Sequence, residues 1–103
     1  MIKASFYITD GSISGFEIKG HSGYAESGRD IVCAAVSSAA YMAANTISEI
    51  LSCPIDAKVS DGYMSVKLLC ENNAARDILS GLKLHLTELS NDNPDFNKIT
   101  TEV

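Results

Sequence analysis

The stretch GHSGYAESGRDIVCAAVS, residues 20–37, marks where the chain changes from strand to helix. Its first half places His21 at a predicted strand end, followed by a run of small residues that is typical of a loop. Its second half begins a helix, with Asp30 as the predicted N-cap and Cys33 in the first turn. Because 12 positions separate His21 from Cys33, the loop can fold back and bring the imidazole to the thiol. That pairing at a helix start favours the thiolate, which is a nucleophile.

Alternating apolar residues predict a β-hairpin before this stretch. Residues 2–9 alternate between apolar and polar side chains, which indicates a strand with one buried face. Asp10-Gly11 predicts a tight turn into a second strand over residues 14–20. The helix that follows is predicted from residue 31 to about residue 52, since a proline at position 54 cannot continue it. Its main apolar stripe is Val32, Val36, Ala39, Ala43, Ile47 and Ile50.

A second hairpin and a second helix follow in the same order. The Asp61-Gly62 turn joins two alternating segments, residues 73–90 have helical periodicity, and residues 96–103 can form a last strand. The ββαββαβ order predicts an α+β fold in two or three layers, with a mostly antiparallel sheet and two packed helices. We expect residues 1–103 to form a single domain.

Composition narrows the classes of function. The 103 residues are 46% apolar and carry a net charge of −5, which is typical of a globular domain. Since no run of Lys and Arg occurs, we expect no direct nucleic-acid partner. The longest apolar stretch, residues 31–51, is interrupted by polar side chains, and no secretory signal is recognisable, so we expect no membrane partner and a cytoplasmic protein.

The cysteines and histidines give no metal-binding or cross-linking pattern. Three cysteines, an odd number without a CxxC pair, predict neither a disulfide framework nor a zinc site. The two histidines are far apart in the sequence. We therefore expect no metal and no cofactor, and we expect all three cysteines to be thiols.

Each candidate site residue also has a purely structural interpretation. Cys33 could be an inert buried cysteine, and His21 could be an ordinary histidine at a strand end. Asp30 could cap the helix only, or could also orient His21. Ser37, one turn after Cys33, could form a hydrogen bond near the thiolate or could simply allow close helix packing. Gly20 could let the backbone approach a substrate or could merely end the hairpin.

The motif Gly20-His21, Tyr24, Gly28 and Asp30 to Ser37 resembles that of the ribosomal-processing cysteine protease family, Prp. The resemblance implies a cytoplasmic, homodimeric cysteine endopeptidase that removes the N-terminal extension of a large-subunit ribosomal protein precursor through an acyl-enzyme. It implies Cys33 as the nucleophile and His21 as the base. Gly20, Asp30 and Ser37 match further motif positions and would support the site.

Two other functions remain open on the residues alone. The chain could be a non-catalytic ribosome-assembly or peptide-binding module whose loop over residues 22–29 recognises a partner. It could also carry a redox-sensing thiol at Cys33, which would oxidise reversibly without hydrolysing peptides.

Overall fold

The computed structural model describes residues 2–20, 29–92 and 97–102, with side chains for residues 2–20 and 32–92. The elements run in the order β1 (Ile2–Thr9), β2 (Ser12–Lys19), α1 (Arg29–Asn45), a π-helical segment (Thr46–Ile50), β3 (Ile55–Ser60), β4 (Tyr63–Leu68), α2 (Asn73–Asp92) and β5 (Asn97–Glu102). The predicted ββαββαβ order is confirmed, with β2 beginning two residues earlier than expected.

The five strands form one sheet in the order β3-β4-β2-β1-β5. The pairs β1–β2, β2–β4 and β3–β4 are antiparallel, which confirms the mostly antiparallel sheet, while β5 lies parallel to β1. The turn between β1 and β2 has positive φ at Asp10 (52°) and Gly11 (78°). Two such residues match the right-handed twist of a two-residue hairpin, so this turn forms as predicted.

The core lies between one face of the sheet and the two helices. Along β1, Ile2, Ala4 and Phe6 are buried while the intervening side chains are more exposed, so only one sheet face is covered by helices. The side chains most fully enclosed are Phe6, Phe16, Ile47, Leu79, Leu86, Val66 and Cys53. The expected α+β architecture therefore takes its two-layer form.

Helix α1 departs from its predicted bounds at both ends. It begins at Arg29, so Asp30 lies inside the first turn rather than at the predicted N-cap position. At the other end the Leu51 amide donates to the Thr46 carbonyl over 2.9 Å. This hydrogen bond joins residues five positions apart, as in a π-helix. A π turn uses more residues than an α turn, so later side chains rotate away from the buried stripe. Ile50 is 76% exposed for this reason, and its predicted place in that stripe is wrong.

Cys53 and Cys70 form a disulfide, with their Cα atoms 6.1 Å apart. The prediction that the chain contains no disulfide is therefore wrong. The two cysteines are 17 positions apart, and the β3–β4 hairpin between them brings the end of the helical segment next to the end of β4. The spacing of the cysteines in the sequence does not predict this contact, because the pairing of β3 with β4 creates it.

In the described parts of the chain, neither helix has the length and apolar character needed to cross a membrane.

Candidate active site

A pocket of about 250 Å³ opens between α1 and the tip of the β3–β4 hairpin. Helix α1 supplies Cys33, Ser37 and Tyr41 to one wall, and residues 59–64 of the hairpin form the opposite wall. Ile2 and Ile18 line it from the sheet. The lining thus combines apolar side chains with polar groups, as the lining of ligand sites commonly does.

Cys33 is half-buried and lines this pocket while also packing against the core. Ser37 and Tyr41 follow at intervals of four residues, which places the three side chains on successive turns of one helix face. Because Cys53 and Cys70 are joined, Cys33 is the cysteine that remains a thiol. Its access to the pocket gives a reactant a route to the sulfur.

Gly20 ties the end of β2 to the turn of the other hairpin. Its amide donates to the Gly62 carbonyl over 3.0 Å, and its φ of 92° lies in a region that side chains disfavour. This geometry favours glycine at the point where β2 ends beside the pocket. The next residue, His21, lies outside the described residues.

The structure thus places three of the five predicted site residues at one pocket: Gly20, Cys33 and Ser37. Asp30 is the second residue of α1, three positions before Cys33, and its side chain is not described. Cys33 is the fifth residue of α1, so its predicted place in the first turn is wrong. The pairing of His21 with Cys33 stays a prediction. The loop predicted over residues 22–29 lies outside the described residues except for Arg29, which is the first residue of α1 and not part of a loop.

A polar network on the opposite sheet face supports the hairpin wall. The Tyr63 hydroxyl donates to Glu17 Oε2 over 2.9 Å, and Lys19 Nζ lies 3.3 Å from Glu17 Oε1. Partial burial raises the pKa of the Glu17 carboxyl, but these two hydrogen-bonding partners favour the carboxylate more, so the pKa lies below its ordinary value. Burial, followed by the nearby Glu17 charge, raises the pKa of Tyr7.

Sequence reasoning missed the far wall of the pocket. Tyr41 had a local signal, since it lies two helical turns beyond Cys33 on the same face. Val59 and the residues of the Asp61-Gly62 turn had none, because their position next to α1 follows from how the sheet packs. Among the described residues, no three His, Cys, Asp or Glu side chains are grouped closely enough to hold a metal ion.

The fold and the pocket define an α+β protein with a cysteine thiol positioned on a helix at the edge of a cleft. Residues 1–98 match the family of the cysteine protease Prp, and the chain belongs to that family of cysteine proteases.

Solved structures share the fold over nearly the whole chain. SMU.848 from Streptococcus mutans is 31% identical, with a TM-score of 0.86 over 99% of this chain and 96% of that one. The ribosomal processing protease Prp from S. aureus with a substrate peptide is 23% identical, with a TM-score of 0.91 over 99% and 100% of the two chains. The same S. aureus protein with a covalently linked product peptide is 24% identical, with a TM-score of 0.88 over the same shares. A search of curated proteins found no match.

Proposed function

We propose that this protease is an endopeptidase that removes the N-terminal extension of a large-subunit ribosomal protein precursor, with Cys33 as nucleophile and His21 as base. The observation that carries the proposal is the Cys33 thiol at the pocket of a chain that belongs to a cysteine protease family. The S. aureus relative, described as a ribosomal processing protease with a covalently linked product peptide, supports the choice of substrate. Residues 1–103 would act as one protease domain in the cytoplasm.

The proposed chemistry needs only these two side chains. His21 takes the proton of the Cys33 thiol, and the sulfur attacks the scissile carbonyl carbon. The amine leaves with a proton from the imidazole, which produces an acyl-enzyme. A water molecule, deprotonated by His21, then hydrolyses the thioester and restores the thiol. Gly20, Asp30 and Ser37 would support this geometry as positioning residues.

The pocket suits an extended peptide that lies between α1 and the hairpin tip. Tyr41 and Val59 are 45% and 54% exposed, so both present apolar surface that a peptide side chain can cover. The chain's net charge of −5 complements a basic ribosomal protein and would speed their encounter, an effect that salt weakens.

The central test is mass spectrometry of the ribosomal precursor after incubation with purified protein variants. Wild type is expected to release the extension, whereas Cys33→Ser and His21→Ala release none within the same time. Ala34→Ser is the matched control, because it adds a hydroxyl at the neighbouring exposed helix position without touching the sulfur.

Alkylation separates catalysis from the alternative of a peptide-binding module. After mild reduction, Cys33 is expected to react with iodoacetamide at pH 6 faster than Cys53 or Cys70. Equal slow reaction at all three cysteines, together with full cleavage by Cys33→Ser, would contradict the proposed protease mechanism.

We also propose that the protein is a homodimer joined through its helix layer. An apolar groove of about 670 Å³ runs between α1 and α2, lined by Ala39, Met42, Ile78 and Leu82 among others. Met42 is 68% exposed on this groove, and Leu84 of α2, outside the groove lining, is 61% exposed. A second copy would cover this apolar surface.

Sedimentation at micromolar concentration tests the dimer. Wild type is expected to sediment at twice the 11.0 kDa chain mass, and Met42→Lys as a monomer. Leu69→Lys is the control, since Leu69 is 63% exposed but lies beyond the end of β4, away from the groove. A wild-type protein that sediments only as a monomer would exclude the dimer.

A further inference from the structure

We propose that Cys53 and Cys70 form a reversible redox site, which a low-molecular-weight disulfide oxidises through Cys70 and whose cross-link stabilises the β3–β4 hairpin. The site is separate from the Cys33 pocket. The proposal does not depend on which peptide the protease cleaves.

The backbone holds the two cysteines ready to pair. Their Cα atoms are 6.1 Å apart, inside the range of about 4.4–6.8 Å that disulfides span. The Leu69 amide donates to the Pro54 carbonyl over 2.9 Å, which joins the residues next to each cysteine. The Cys53 amide also donates to the Ile47 carbonyl over 3.0 Å. These bonds do not involve sulfur, so they hold the same geometry when the cysteines are reduced.

The reduced state also has suitable partners at this place. Cys53 Sγ lies 3.7 Å from the Pro54 carbonyl oxygen and 3.9 Å from the Cys70 carbonyl oxygen. A Cys53 thiol could donate to either oxygen as a weak hydrogen bond. The buried sulfur of Cys53 therefore has a partner in both states: the Cys70 sulfur when oxidised and a carbonyl oxygen when reduced. A reversible site requires this.

The two sulfur atoms differ in access, which fixes the route of exchange. Cys53 is 1% exposed, whereas Cys70 is partly buried and lines an open surface depression of about 660 Å³. Two cations, Lys67 and Arg76, and two carboxylates, Asp10 and Glu71, also line the depression. A small thiol or disulfide can therefore reach Cys70 from solvent, and Cys53 only through Cys70.

The oxidation then proceeds in two exchange steps. The Cys70 thiolate attacks one sulfur of the small disulfide, which forms a mixed disulfide at Cys70 and releases the first small thiol. The Cys53 thiolate attacks the Cys70 sulfur, which forms the Cys53–Cys70 bond and releases the second small thiol. The two cysteines lose two protons and two electrons, and the small disulfide gains them. A small thiol reverses both steps by attacking Cys70.

The cross-link encloses a functional part of the molecule. The segment between the two cysteines is the whole β3–β4 hairpin, and the hairpin's residues 59–64 form one wall of the Cys33 pocket. Closing this loop removes conformations from the unfolded chain. We expect oxidation to raise the midpoint of thermal unfolding by on the order of 10 °C, given the loop length and the size of the chain.

Mass mapping after incubation of the reduced full chain with oxidised glutathione tests the route. Wild type is expected to yield the Cys53–Cys70 link. Cys53→Ala is expected to stop at a glutathione adduct on Cys70, whereas Cys70→Ala leaves Cys53 unmodified because it is buried. If wild type stays reduced at both positions, or if glutathione attaches to Cys53 in Cys70→Ala, the proposal is wrong.

Thermal unfolding tests the stabilising effect and also shows that the variants fold. The oxidised wild type is expected to unfold at a higher temperature than the reduced wild type, and a phosphine reductant abolishes the difference. The double variant Cys53→Ala/Cys70→Ala is the matched control and is expected to show the same midpoint with and without reductant. A wild type whose cross-link forms without a shift in the midpoint would overturn the stabilising role.

Discussion

Cys33, Ser37 and Tyr41 occupy successive turns of α1 and line the same pocket. Because they share one face of the helix, a substrate that reaches the Cys33 sulfur also lies next to Ser37 and Tyr41. Ser38 is the useful comparison, because it is exposed on the same helix but lines the groove toward α2 instead. Adjacent serines on one helix therefore belong to different surfaces. Ser37→Ala and Ser38→Ala make the same change in the composition of the helix, so a comparison of the two variants tests the role of Ser37.

We predict that Ser37→Ala lowers kcat/KM for precursor cleavage by roughly 5- to 10-fold, the effect of losing one hydrogen bond near the reacting atoms. Ser38→Ala is expected to leave kcat/KM within about 2-fold of wild type, since it does not line the pocket. Steady-state kinetics on the two variants provide the measurement. Equal values for both would assign Ser37 to helix packing alone.

Glu17 gives the fold a predictable response to acid. Because its pKa is lower in the folded chain than the ordinary value of 4.5, the carboxylate adds stability above that pH. The contribution disappears as the pH falls through the folded-state pKa. We expect Glu17→Gln to show a weaker loss of unfolding free energy between pH 5 and pH 3 than wild type, measured by urea unfolding. Leu69→Ala, which removes an exposed side chain that does not titrate, is expected to keep the wild-type slope.

At the scale of elements, the junctions between strands and helices position the site. β2 ends at Gly20, where a backbone bond to Gly62 joins two hairpins that are distant in sequence. The helical segment ends after a π turn, with Ser52 at a positive φ of 53°. The first junction places Gly20 at the Cys33 pocket, and the second sets where the chain enters β3.

Two glycine substitutions should have opposite effects on stability. Gly20→Ala is expected to lower the free energy of unfolding by about 1–2 kcal/mol, because alanine disfavours positive φ. Gly81→Ala is expected to raise it by up to about 1 kcal/mol, since Gly81 lies inside α2 and an added Cβ meets no atom within 4 Å. Urea unfolding measures both changes. Destabilisation by Gly81→Ala of the same size would contradict this explanation.

For the whole molecule, stability depends on the layer where the central strands meet the helices. Phe6 and Phe16 are both fully buried, and their ring centroids lie 6.2 Å apart across the β1–β2 pair. These strands occupy the middle of the sheet, so their side chains contact neighbours on every side. Deleting one ring would leave a cavity that the surrounding core cannot fully close.

We predict that Phe16→Ala lowers the free energy of unfolding by about 3–5 kcal/mol, which is a large part of the stability of a small domain. Leu69→Ala removes an exposed apolar side chain and is expected to change it by less than about 0.5 kcal/mol. Chemical denaturation of both variants under the same redox conditions is the measurement. A loss below about 1 kcal/mol for Phe16→Ala would show that the core repacks.

Local patterns predicted much of this fold. The alternation over residues 2–9, the Asp10-Gly11 turn and the helical periodicity of residues 73–90 each concern neighbours in the sequence, and each is confirmed. The predicted apolar stripe of α1 is wrong at Ile50, because a π turn changes the helical period within a single turn. Part of the candidate site was predictable in the same way, since Ser37 lies one turn from Cys33.

The sequence by itself determined the order of strands and helices, the turn residues and the presence of a cysteine near the start of α1, because each depends on residues a few positions apart. The tertiary structure alone decided that β5 lies parallel to β1, that the β3–β4 tip faces Cys33 and that Cys53 joins Cys70. These contacts connect positions that only sheet pairing and helix packing bring together, so no local period of the sequence records them.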